Sequence, residues 1–354
     1  MKQNKLYPIG QALAAAVLFG ASAPLAKILL GEIEPIPLAA FLYLGTGIGL
    51  LLMKIIENSL RPTSQREANL KRSDLAWLAG AILAGGVAAP IILLFSLKNT
   101  PAATASLLLN FEGVATTLLA ALAFKESISG HGWRAIGLIT TAGIILSANF
   151  SGKWGLSAGA LGIMGACLLW GLDNNLTRQI SAKDPITIVT IKGLAAGSFS
   201  LLLALTLGNR LPSAGIIARA MGLGWFSYGL SIVLFIHAMR SLGSARTSAL
   251  FGIAPLAGML LSFILFRVFP TWMFAIGLVL MVIGTMILVS EEHEHDHEHE
   301  MMVHDHAHHH DKHHEHEHKE MREEKHAHEH QHETLVHAHD HLPDLHHRHN
   351  HRTE

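Results

Sequence analysis

Phe19-Gly20-Ala21-Ser22-Ala23-Pro24-Leu25-Ala26-Lys27 lies over Trp170-Gly171-Leu172-Asp173-Asn174-Asn175-Leu176-Thr177-Arg178. Just downstream, Pro37, Gly45 and Gly49 fall on Pro185, Gly193 and Gly197 at one constant offset. Further on, Ser96-Leu97-Lys98 falls on Ala238-Met239-Arg240, Ser106 on Ser248 and Lys125 on Arg267, again at one offset. Chance matches among Ala, Leu and Gly are easy, so the prolines, glycines and basic residues carry the weight. The chain reads as two copies of one unit, residues 1–149 and 150–290, followed by a distinct segment, 291–354.

Both copies are apolar. The whole chain is 50 % hydrophobic and 15 % charged, against about 25 % charged in soluble proteins. A bilayer core about 30 Å thick is crossed by roughly 20 apolar residues of helix, and helices satisfy their backbone groups without water. Spans are expected near 8–30, 36–56, 74–97, 101–124, 132–149, 157–180, 186–208, 214–240, 243–266 and 270–290, five per copy. An odd number per copy makes the second enter from the opposite side, the inverted repeat of many secondary transporters. Twelve Lys and Arg residues fall in connections on the N-terminal side and five on the other. This bias places both termini in the cytoplasm. Ala21-Ser22-Ala23 after Lys2 and Lys5 has the form of a signal-peptidase site, but its match deep in the chain argues for a retained helix.

The stretch from Ser96 through Thr100-Pro101 to Glu112, with its equivalent from Ala238 to Pro255, resembles the drug/metabolite transporter superfamily, EamA-type, over residues 8–290. Members usually carry a Leu-Glu-Pro-like turn in these helices. Here Phe111-Glu112-Gly113 keeps the acid and Ile253-Ala254-Pro255 keeps the proline. The basic residue common in the second helix of each repeat is Lys192 in the second copy, while Leu44 stands near that place in the first. The resemblance implies an all-α membrane protein of ten transmembrane helices in two inverted five-helix repeats. It also implies alternating access for a small solute, without enzymatic activity. No nucleophile–base pair, phosphate loop or cofactor motif points to catalysis, and no cofactor is required.

Charged groups at membrane depth are costly and mark candidate sites. These are Glu112 in span four, with Asn110 two residues before it; Asp173 and Asn174 in span six; Lys192 in span seven; and His237 in span eight. Ser22 occupies in span one the place of Asp173 in span six. On one reading, Glu112, Asp173 and Lys192 line a wet cavity, and Glu112 exchanges a coupling proton because burial disfavours its charged form. On the other, Asp173 and Lys192 are a structural ion pair and Glu112 bridges helices. Lys27 and Arg178 are expected to reach headgroups from helix ends. Pro24, Pro90 and Pro255 are expected to kink their helices. Cys167, the single cysteine, reads as a small buried hydrophobe.

After Ser290 the composition changes. Residues 291–354 hold 24 of the 26 histidines and carry a formal charge of −12, against +11 for residues 1–290. With almost no apolar content, no core can form and disorder is expected. His293, His295, His297, His299, His304, His306, His308, His309, His310, His313, His314, His316 and His318 alternate with acids or cluster. Neutral imidazoles bind transition metals, so a divalent ion (Zn, Ni, Co or Cu) is expected on this tail. Three cargo readings follow: a divalent metal ion, a small organic metabolite with the tail regulating or buffering, or a membrane-anchored metal store that transports nothing. The expected setting is the bacterial inner membrane, with the lipid bilayer and the solute as partners. A homodimer is one assembly considered, and nucleic acid is not a partner.

Overall fold

The computed structural model describes residues 6–60, 69–124, 128–149, 155–181, 183–242, 244–267 and 270–289, plus residues 296–298, 302–308, 326–332 and 336–338 of the tail. The apolar segments are helical. The first copy contains α1 (Leu6–Gly20), α2 (Ser22–Leu29), α3 (Pro35–Leu60), α4 (Leu75–Ala81), α5 (Ala89–Lys98), α6 (Ala102–Leu108), α7 (Phe111–Phe124) and α8 (Gly130–Ser147). The second contains α9 (Ala158–Arg178), α10 (Pro185–Thr206), α11 (Ala214–Gly224), α12 (Ser231–Leu242), α13 (Ser244–Phe251), α14 (Ala254–Phe266) and α15 (Trp272–Val289). Between the copies, Ala148–Asn149 and Gly155–Leu156 pair as a two-residue antiparallel ladder.

Among the described residues, six stretches are long and apolar enough to cross a membrane: Leu6–Leu29, Pro35–Ile56, Arg72–Lys98, Ala102–Ala123, Pro185–Thr206 and Ala214–Met239. Large apolar side chains point outward, among them Leu83, Leu122, Leu202 and Ile264. Water would penalise that surface and lipid accepts it. This is an integral membrane helical protein.

The repeat is visible in three dimensions. The offset that sets Ser96 on Ala238 carries a π-helical turn at Ile82–Ala88, between α4 and α5, onto one at Trp225–Leu230, between α11 and α12. It also carries the break between α6 and α7 onto the break between α13 and α14. At the first break, Glu112 and Gly113 donate to carbonyls three residues back, Leu109 and Asn110, the tighter bonding of a helix end. Glycines allow the copies to interlock. A Cβ on Gly20 (α1) would lie 2.1 Å from the Ala254 carbonyl oxygen (α14), and one on Gly171 (α9) would lie 2.8 Å from the Ala115 and Thr116 backbone (α7). Gly20 and Gly171 are equivalent in the repeat. Along the long α3–α10 pair, a Cβ on Gly193 would sit 2.7 Å from the Gly47 nitrogen. Small residues let helices approach this closely in lipid.

Each of the three prolines stands just after an irregular turn. Pro24 and Pro90 lie within the continuous helical stretches Leu6–Leu29 and Arg72–Lys98, after the turn at Ala21 and the π turn Ile82–Ala88, and Pro255 follows the break at Gly252 and Ile253. Proline offers no N–H to the carbonyl four residues back, which suits a place where the regular ladder is already interrupted.

Lys27 corrects one expectation. Its Nζ donates to the Leu97 carbonyl, and to those of Lys98 and Thr100 at 2.8 and 3.0 Å. The last carbonyls of a helix lack partners and carry its negative dipole end, so the cation caps α5 instead of reaching headgroups. Around it, Lys98 pairs with Glu34 at 2.8 Å and Arg219 with Glu32 at 2.6 Å. These contacts tie the α2–α3 connection to α5 and α11. Hydrogen bonds from Arg219 hold the Glu32 carboxyl below its ordinary range. On the opposite face, Asp184 caps α10, accepting from Ile186 N at 3.0 Å, Thr187 Oγ1 at 2.6 Å and Lys54 Nζ at 2.5 Å. Burial disfavours its charge, but the Lys54 and Thr187 hydrogen bonds outweigh burial and hold this carboxyl below the usual range.

In the tail, Asp296–Glu298 pairs with Val336–Ala338, and Met302–His308 with His326–His332, both antiparallel. A two-residue alternation suits a backbone ladder, so these four segments differ from the expected lack of regular structure. The rest of the tail, including His293, His295, His299, His309, His310, His313, His314, His316 and His318, lies outside the described residues. His297, His304, His306 and His308 lie on strands.

Candidate functional site

The helix breaks meet at one cavity of about 510 Å³, within the range of small-molecule sites. Phe19 and Gly20 line it from the end of α1, Ser106 from α6, and Leu109 and Asn110 from the first break. The inner turns of α7 add Glu112, Gly113, Thr116 and Thr117, while α9 adds Asn174 and α12 adds Phe235. The second break and its flanks contribute Ser248, Phe251, Gly252, Ala254 and Pro255, and α15 closes the wall with Thr285 and Leu288. Both copies therefore build it, and it runs to Leu288 in the last turn of α15. The Lys27, Glu32–Arg219 and Glu34–Lys98 contacts all lie at the opposite helix ends.

Among the described residues, Glu112 is the only charged one in this lining. It sits in the first turn of α7, where the helix dipole favours an anion. Asn174 Nδ2 donates to its Oε1 at 2.9 Å and to Thr116 Oγ1 at 3.1 Å. Three consecutive α9 residues divide their roles because each step turns a helix by about 100°. Asn174 meets Glu112. Asn175 donates to the carbonyls of Thr116 and Gly171 at 3.0 and 2.8 Å, fastening α9 to α7. Asp173 faces away, toward α10.

There Lys192 Nζ contacts both Asp173 oxygens at 2.6 and 2.7 Å, and Thr177 Oγ1 donates to Oδ1 at 2.9 Å. The Asp173 and Lys192 side chains are 8 % and 15 % exposed, so the charges are matched out of water. Space for Asp173 comes from Gly85 in the first π turn, where a Cβ would lie 1.9 Å from Oδ2. The Gly85 carbonyl accepts from Tyr43 Oη at 2.8 Å and Trp170 Nε1 at 3.0 Å. A π turn leaves a carbonyl free of the usual ladder, and these two donors satisfy it.

Of the residues singled out from sequence, Glu112, Asn110 and Asn174 share the cavity wall. Asp173 and Lys192 pair with each other outside it. Ser22 is buried near Tyr228, and His237 is half-buried on α12 outside the lining. Sequence reading missed Ser106, Thr285, Phe19, Phe235 and Phe251. Phe19 opens the repeated segment, and Ser106 matches Ser248 in the repeat; both serines line the cavity. Thr285 and the aromatic residues of α12 and α13 carried no comparable signal.

The EamA-like transporter family matches residues 6–148 and 157–290. An uncharacterized transporter of Methanothermobacter thermautotrophicus (strain Delta H) is 32 % identical over 289 residues, which span 78 % of this chain and 84 % of that protein. A protein of known crystal structure superposes with a TM-score of 0.56 at 18 % identity, over 79 % of this chain and 95 % of the other. That last likeness concerns fold alone.

Proposed function

Because this chain belongs to the EamA-like transporter family, we propose that it carries a small organic solute through the cavity at Glu112 by alternating access. The ten helical segments cross the membrane as two inverted five-helix repeats, 1–149 and 150–290, with both termini in the cytoplasm. The bacterial inner membrane is the proposed location. The present arrangement faces the tail side, with the cavity reaching the end of α15 and the far side latched by Lys27, Glu32–Arg219 and Glu34–Lys98. The observation that carries this reading is the cavity itself, built from equivalent helix breaks of both copies. Broken helices at a repeat interface are where secondary transporters bind their cargo.

A bare divalent ion is a poorer fit. A dehydrated transition metal takes three or four N, S or O ligands, and the cavity supplies one carboxylate. No group of three or more His, Cys, Asp or Glu residues able to hold a metal occurs among the described residues. The His-rich tail favours metal binding as an accessory, buffering or regulating from the cytoplasm.

Uptake of radioactive Ni²⁺, Co²⁺ and Zn²⁺ into inside-out vesicles tests this division. We expect vesicle-associated metal with the full chain, its loss on truncation after Ser290, and no metal retained inside the lumen with either. Lumenal metal that survives truncation and disappears with Glu112→Gln would make the ion itself the cargo.

A further inference from the structure

The charge and lining of the cavity go further than its position. Glu112 has a neutral amide, Asn174, as its partner, and no cation pairs with it among the described residues. Lys192, the basic residue of the neighbouring α10, is held by both oxygens of Asp173 and is internally neutralised. Three aromatic rings share the cavity wall with Glu112. Phe19 and Phe251 have centroids 5.4 Å apart, and Phe235 and Phe251 5.0 Å apart. Ser106 Oγ and Thr285 Oγ1, both on the wall, have no hydrogen-bond partner among the described residues.

A carboxylate removed from bulk water without a counter-ion favours any cation that can enter. An anion meets the same field as repulsion. Aromatic faces attract organic cations and pack their hydrocarbon parts. Hydroxyls free on such a wall fix orientation rather than supply affinity.

We infer that the cavity selects small organic monocations: an ammonium-type head pairs with Glu112 while an apolar body lies on Phe19, Phe235 and Phe251. This rests on the cavity being the solute site and names the class of solute.

Calorimetric titration of the full chain in lipid nanodiscs with benzylammonium, benzyl alcohol and benzoate tests it, since the three probes match in size and differ in charge. We expect benzylammonium to bind at least tenfold more tightly than benzyl alcohol, and benzoate to bind most weakly. Glu112→Gln erases the tenfold preference, and Phe251→Ala weakens benzylammonium and benzyl alcohol alike. Three outcomes overturn the inference: benzoate binding as well as the cation, a cation preference that survives Glu112→Gln, or no binding by benzylammonium. If benzyl alcohol binds in a Phe251-dependent way without any cation preference, the cation inference falls and the cavity stands as the solute site.

Discussion

Lys192→Met alone is expected to destabilise the bundle by roughly 3–5 kcal/mol, the cost of breaking a buried ion pair from one side. Asp173 would keep only the Thr177 hydroxyl, at 2.9 Å, against two oxygens now bound by the ammonium. At roughly 2–4 °C per kcal/mol for chains of this order, the thermal midpoint in micelles falls by about 6–20 °C. Asp173→Asn together with Lys192→Met is expected to recover most of the loss. No bare charge then remains, and replacing a buried pair with neutral groups of similar volume is often harmless or better. If the double variant is as unstable as the single, the pair does more than neutralise itself. A role in transport would then have to be reconsidered for two residues that the cavity wall excludes.

The second large effect is steric. Gly20→Leu is expected to prevent assembly of the α1–α14 crossing, because even a Cβ there would lie 2.1 Å from a backbone oxygen. Backbone cannot yield as a flexible side chain can. Gly20→Ala already overpacks, at about 1–3 kcal/mol. Gly171→Ala should behave similarly but more mildly, its nearest neighbours being backbone atoms at 2.8 Å. Gly137→Ala supplies the contrast, since nothing lies within 4 Å of its Cβ position. There the substitution is expected to stabilise α8 by about 0.5–1 kcal/mol. Equal thermal midpoints for Gly20→Ala and Gly137→Ala would contradict the interlocked crossing.

Much of this was legible in the chain. The offset that matched Ser96 to Ala238 also located paired π turns and paired helix breaks, because both copies answer to the same packing. The π turns themselves carry no common signature, with Gly85-Gly86 in one and Trp225 to Leu230 in the other. Whether Asp173 or Asn174 meets Glu112 could not be read from sequence either. One residue of helical phase decides it, and span boundaries are uncertain by more than that. Polar residues of the spans announce themselves by their cost in lipid, whereas nothing in the sequence distinguishes Phe235 and Phe251 from the other aromatic residues of the spans. The capping role of Lys27 is not legible locally because its partners, the carbonyls closing α5, lie about seventy residues away. The latching acids Glu32 and Glu34 sit in a short connection where exposed charge is ordinary.

The claim at the centre is that one cavity between the copies is exposed to alternate sides of the membrane, and thiol labelling reads this without knowing the cargo. In a Cys167→Ser background, Asn110→Cys places a thiol at the break between α6 and α7. A membrane-impermeant maleimide is applied to right-side-out and to inside-out vesicles. The account predicts much faster labelling from the tail side in the parent. Adding Lys27→Met, Lys98→Gln and Arg219→Gln should give a rise on the order of a few-fold from the far side, with a matching fall on the tail side, since individual exposed ion pairs contribute modestly. Labelling from both sides at equal rates, or far-side labelling indifferent to all three substitutions, would contradict it.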